Sequence, residues 1–199
     1  MLKKVPVTII GLGILIIIIL IVAPAEKTLG ESVKLVYLHG AVTKASFYLF
    51  YLTALAGTIY LFTQRDKVYV FMFICQKITT LYWIIGFIVS TIAMGVIWES
   101  FYWQEPRFIM FVGIAILAGA NLLLSTAKLN NNIIAGFNIF LAAIVWYLSK
   151  IVGRIMHPID PIGTSTSQSI KMYYLALIVV ILLMMVELIR LAVQKYSYK

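Results

Sequence analysis

Hydrophobic and polar positions fall in long blocks along this chain, far longer than the runs that strands use. Apolar stretches with few charges cover residues 5–23, 33–62, 68–97, 106–127, 133–152 and 170–193, separated by polar connections. Each approaches or exceeds the ~20 apolar residues that carry a helix across a bilayer. The pattern predicts an all-α integral membrane protein, a single domain over 1–199 with six transmembrane helices.

The connections carry the matching punctuation. Pro106 suits the first turn of the fourth helix, where its missing N–H has no partner to lose. Lys128 to Asn132 turns that helix back into the fifth, and the loop over 153–169 holds Pro158, Pro161 and a Ser/Thr-rich stretch. The first apolar run follows Lys3 and Lys4 and ends at Ala23-Pro24-Ala25, which superficially looks like a cleavage site. It exceeds the roughly 7–15 residues of a signal-peptide core and is read as a retained helix, cytoplasmic end first.

Composition narrows the class. With 63% hydrophobic and 12% charged residues, the chain has too little polar surface to cover a soluble globule. Its net charge of +9 comes from 16 scattered Lys and Arg with no basic block, so nucleic acid is not an expected partner and membrane lipid is. With both termini cytoplasmic, Lys3, Lys4, Arg65, Lys67, Lys128, Arg190, Lys195 and Lys199 fall inside, against Lys27, Lys34, Arg107, Lys150, Arg154 and Lys171 outside. That modest excess favours this orientation, in a cell (inner or plasma) membrane crossed several times. Cys75 is the only cysteine, which excludes an internal disulfide.

Candidate chemistry collects on one side. In the second helix, His39, Thr43, Ser46, Phe50, Thr53 and Gly57 share one small and polar stripe that is expected to pack inward. The outer connection, residues 98–105, opens the dense stretch Trp98-Glu99-Ser100-Phe101-Tyr102-Trp103-Gln104-Glu105-Pro106-Arg107. Its charges and indoles belong at a membrane interface, either as an aromatic belt or as a shelf for a flat apolar ligand. His39 and His157 are the only histidines and both lie on this side. Each has a plain reading, His39 as an inward hydrogen-bonded residue and His157 as a solvated loop residue. Two imidazoles around an aromatic surface would also suit heme, whose iron takes axial nitrogen ligands.

These residues resemble the cytochrome c maturation protein C family of heme-handling proteins. The family's outer loop has the form W-G-x-W-W-x-W-D-x-R, and the stretch from Trp98 to Arg107 lies along it without a gap. Trp98 and Arg107 match, Phe101 and Tyr102 keep aromatic character, and Glu105 replaces the acidic Asp; Glu99 and Gln104 stand where the pattern has Gly and Trp. Ala23 to Glu26 followed by Val36-Tyr37-Leu38-His39 is similar to the family's approach to its second helix, and Pro158-Ile159-Asp160-Pro161 to its S-I-D-P element.

The resemblance implies a non-covalent, b-type heme held by His39 as axial ligand to the iron, with Trp98, Phe101, Tyr102 and Trp103 lining its face and Arg107 near the propionates. The family's second ligand histidine has no counterpart in place, since a gap-free placement anchored on Asn138 puts it near Ala143; His157 is the candidate for that role. Implied partners are the membrane and ATP-binding subunits of an ABC-type complex and a heme chaperone or apocytochrome c. The task would be heme presentation at the outer face, not an enzymatic reaction. The alternative is a structural or accessory subunit that kept the frame without heme, with Lys44, Lys77 and Glu187 marking subunit contacts. Glu187 and Arg190, three apart, are spaced for a local ion pair.

Overall fold

The computed structural model describes residues 6–127, 129–153 and 162–197. Over these the chain is all-helical, with α1 Val7–Val22, α2 Val33–Thr63, α3 Asp66–Trp98, α4 Pro106–Thr126, α5 Asn131–Ile151 and α6 Gln168–Ser197. Five of the six, α2 to α6, are long and apolar enough to cross a membrane. The first is shorter than its apolar run: α1 has 16 residues, about 24 Å at 1.5 Å per residue. Its bounds have a local cause, because Pro6 precedes it and Pro24 drives Ala23 into an extended conformation, ψ 139°.

Element ends follow the local chemistry. Pro106 occupies the first turn of α4, and the Asn130 side chain caps α5 by accepting from the Asn132 N–H at 2.8 Å. Both α2 and α3 end on a left-handed residue other than glycine, Gln64 with φ 50° and Glu99 with φ 51°.

The helices pack around an α2–α3 pair. On one side α6 lies against both, with α1 laid on α6; on the other, α4 packs on α3 and α5, and α5 packs on α2. Three apolar clusters result, one around Tyr37, Ile74, Leu177 and Ile181, a second around Phe50, Trp83, Ile114 and Val145, and a smaller third around Tyr60, Met72 and Ile134. The inward stripe of α2 is borne out at Ser46, Phe50, Thr53 and Gly57, all buried, while Thr43 and His39 are half-buried. The hydroxyls on these faces are satisfied locally: Ser46, Thr53, Thr79 and Thr80 each donate to the carbonyl four residues back. Large apolar side chains instead point outward around the bundle, including Ile17, Leu55, Ile88, Ile116, Phe140 and Leu183. That is the surface expected against lipid and the reverse of a soluble protein.

The last turns of α6 meet the first turn of α1. The Arg190 guanidinium grips the Glu187 carboxylate at 2.6 and 2.7 Å, as their spacing suggests, and the Thr8 hydroxyl donates to the same carboxylate at 2.7 Å. The two described ends of the chain therefore sit together, at the end of the bundle away from the α3–α4 connection.

Candidate functional site

Three of the expected site residues converge on one small cavity. His39 near the start of α2, Trp98 at the end of α3 and Arg107 in the first turn of α4 line a space of about 70 Å³ together with Met94, Glu105, Phe108 and Phe111. Antiparallel packing of α2 on α3, and the short turn from α3 into α4, bring these segments to the same end of the bundle.

Each side chain is held by its neighbours. The Nδ1 atom of His39 lies 3.3 Å from the Gly86 carbonyl oxygen and 3.5 Å from the Thr43 hydroxyl. Gly86 makes this approach possible, because a Cβ there would stand 3.3 Å from Val42 Cγ1. With Nδ1 protonated toward that carbonyl, the lone pair falls on Nε2. The ring rests against Phe111 at 5.6 Å, and Phe111 stacks on Trp83 at 4.3 Å and 12°. Trp83 in turn donates its indole N–H to the Phe111 carbonyl at 3.0 Å, so α3 and α4 are pinned behind the imidazole.

The charged groups sit at helix ends that favour them. Arg107 donates Nη2–H to the Ser149 carbonyl at 3.0 Å, in the last turn of α5, where the partial charge is negative. Glu105 precedes Pro106 at the positive end of α4 and is only 5% exposed. One imidazole, one carboxylate and one guanidinium thus face a common space.

Phe101, Tyr102 and Trp103 are placed differently. They are 50%, 45% and 60% exposed and stay outside the cavity wall. Phe101 lies over Gly95, where a Cβ would come within 3.0 Å of its ring, and it stacks on Trp103 at 5.4 Å and 14°. Trp103 meets the cavity residue Phe108 edge-on at 5.2 Å. The result is an open aromatic step beside the cavity mouth, and Tyr102 is fixed in it through its N–H, which donates to Met94 Sδ at 3.2 Å. His157, with Arg154, Pro158, Asp160 and Pro161, lies outside the described residues.

Glu105, Phe108 and Phe111 were not among the expected site residues. Part of the signal was present: Arg107 and Phe111 are four apart and Phe108 and Phe111 three apart, which puts them on one helical face. The burial of Glu105 had no such signature.

The donors present suit a heme in some respects and limit how it could be held. An imidazole, a guanidinium for carboxylates and flat aromatic faces are groups that such a ligand uses. A space of about 70 Å³ is well below the roughly 300–1,000 Å³ of an enclosing ligand pocket. A heme would not be enclosed by this cavity. Among the described residues no group of three or more His, Cys, Asp or Glu is arranged for a metal ion. No protein-family model matches the chain, and no curated protein matches it.

Proposed function

We propose that this protein handles heme at the outer face of a cell membrane and passes it to a heme chaperone or apocytochrome c in cytochrome c-type biogenesis. The observation that carries the reading is the convergence of His39, Trp98 and Arg107, from three separate helices, on one cavity beside an exposed aromatic step. His39 would hold the iron through Nε2, Arg107 would meet the propionates, and the outer faces of Phe101 and Trp103 would lie against the porphyrin. Heme, when bound, supplies the redox-active iron; the chain supplies position, charge and an open side for release.

The backbone of the aromatic loop adds support for laying the family pattern here. Where that pattern has glycine, this chain has Glu99 at φ 51°, the left-handed region that glycine favours. A glycine would adopt this conformation without strain. The proposed arrangement has six membrane crossings with both termini cytoplasmic, consistent with the contact between Thr8 and Glu187 at the far end of the bundle. The ABC-type membrane and ATP-binding subunits are the proposed partners.

One observation favours the second reading, an accessory subunit without heme: the cavity is small. Its charged markers, however, have partners within the chain. Lys77 lies 4.0 Å from the Phe73 ring centroid and donates to the Tyr196 hydroxyl at 3.3 Å, Lys44 stands over the Tyr174 ring at 5.9 Å, and Glu187 is held by Arg190. Titration of the purified protein with heme separates the readings. Replacing Trp98 and Trp103 together by Ala is expected to weaken heme binding at least about fivefold while the protein stays inserted, since stacked aromatic contacts contribute about 0.5–1.5 kcal/mol each. Unchanged affinity in that variant would count against the shelf.

A further inference from the structure

At the opposite end of the bundle from His39, the tip of the α2–α3 pair holds an apolar groove of about 260 Å³ lined by Leu52, Leu55, Ile59, Val68, Phe71 and, at its mouth, Lys67. We propose that this groove binds one acyl chain of an anionic phospholipid, with the phosphate at Lys67.

Three observations carry the proposal. The groove opens sideways onto the lipid-facing surface, since Leu55 and Ile59 are 56% and 43% exposed. Its direction suits an acyl chain: the α2 lining runs from Leu52 to Ile59, about 10 Å at 1.5 Å per residue along the helix, within one leaflet of a hydrocarbon layer ~30 Å thick. A groove of this volume accepts one extended alkyl chain, not a helix about 10 Å across.

Charge selects the headgroup. Lys67 makes no ion pair among the described residues, and the turn sets the two cations Arg65 and Lys67 against one carboxylate, Asp66. A basic side chain at the mouth of an apolar groove between membrane helices is the arrangement that retains acidic lipid. A zwitterionic headgroup would bring its own cation to the same place and lose that preference.

The test uses the full chain, delipidated in detergent and titrated with phosphatidylglycerol, with phosphatidylcholine of the same acyl chains, and with inorganic phosphate. Binding is read by native mass spectrometry and by the thermal midpoint. Phosphatidylglycerol is expected to be retained about fivefold better than phosphatidylcholine, and phosphate alone to leave the midpoint unchanged. Lys67→Gln is expected to remove the preference while phosphatidylcholine binding persists, and Leu55→Trp, which fills an exposed part of the groove, to lower retention of both lipids. Equal retention of the two lipids by the native chain, or a preference that survives Lys67→Gln, overturns the proposal. So does stabilisation by phosphate alone, or disulfide cross-linking between two copies of Leu55→Cys, which would give the groove to a second copy of the chain.

Discussion

Asn121 on α4 donates its side-chain N–H to the Asn138 side-chain oxygen on α5 at 2.8 Å, with both residues buried. Asn138 passes the link on, lying 3.4 Å from the Gln76 side-chain oxygen on α3, and Ser125 Oγ lies 3.1 Å from that same oxygen. In an apolar bundle these amides hold three helices in register, because losing one leaves its partner's polar group without a substitute in hydrocarbon.

Asn138→Ala is therefore expected to destabilise the folded protein by about 1–2 kcal/mol. Combining it with Asn121→Ala should cost less than the sum of the two single changes. Unfolding in mixed micelles, followed by helicity across the double-mutant cycle, measures both quantities. Additive losses would show that the amides act separately.

Glu99 closes α3 in a conformation that disfavours any side chain with a Cβ. Glu99→Gly is expected to raise stability by about 0.5–1 kcal/mol, against the usual direction for introducing glycine. Glu99→Val should lower it. Thermal unfolding of the two variants beside the native chain checks the sign.

Much of this architecture was legible in the chain. The apolar blocks marked out six helices, Pro106 announced the start of α4, and the spacing of Ser46, Phe50, Thr53 and Gly57 gave the inward face of α2, because helical periodicity is local information. The amide cluster was not legible, since Gln76, Asn121 and Asn138 lie on three helices and only tertiary packing joins them. The same applies to the site. Trp98 and Arg107 stood out within one dense segment, but the separation of a buried Glu105 from the exposed Phe101 and Trp103 depends on how α3 turns into α4. The short α1 was hidden as well, because hydropathy alone does not show that Pro6 and Pro24 bracket the helix.

The connection between α1 and α2 carries a pH dependence. The Glu26 carboxylate accepts from the backbone N–H groups of Thr28 and Leu29 at 2.8 and 3.0 Å, and these bonds, Leu29 foremost, hold it below the usual carboxylate range. A lowered folded value means that the stabilisation is present above the ordinary carboxylate range and is lost as pH falls through the lowered value. Backbone amide exchange at Thr28 and Leu29, corrected for the intrinsic acid dependence, is expected to lose protection on acidification. In Glu26→Gln that protection should be weaker at neutral pH and should no longer depend on pH in this range. Identical profiles for the two proteins would contradict the assignment.

The most direct test of the heme reading is the absorption spectrum of the detergent-purified protein, titrated with heme, for the native chain and for His39→Ala. Heme presentation through His39 requires saturable binding with a Soret band and low-spin visible bands in the native protein. Those bands are expected to shift or vanish in His39→Ala at unchanged helicity. Absence of saturable binding by the native chain, even with its co-purifying partners present, or a spectrum indifferent to His39→Ala, would contradict heme presentation through His39.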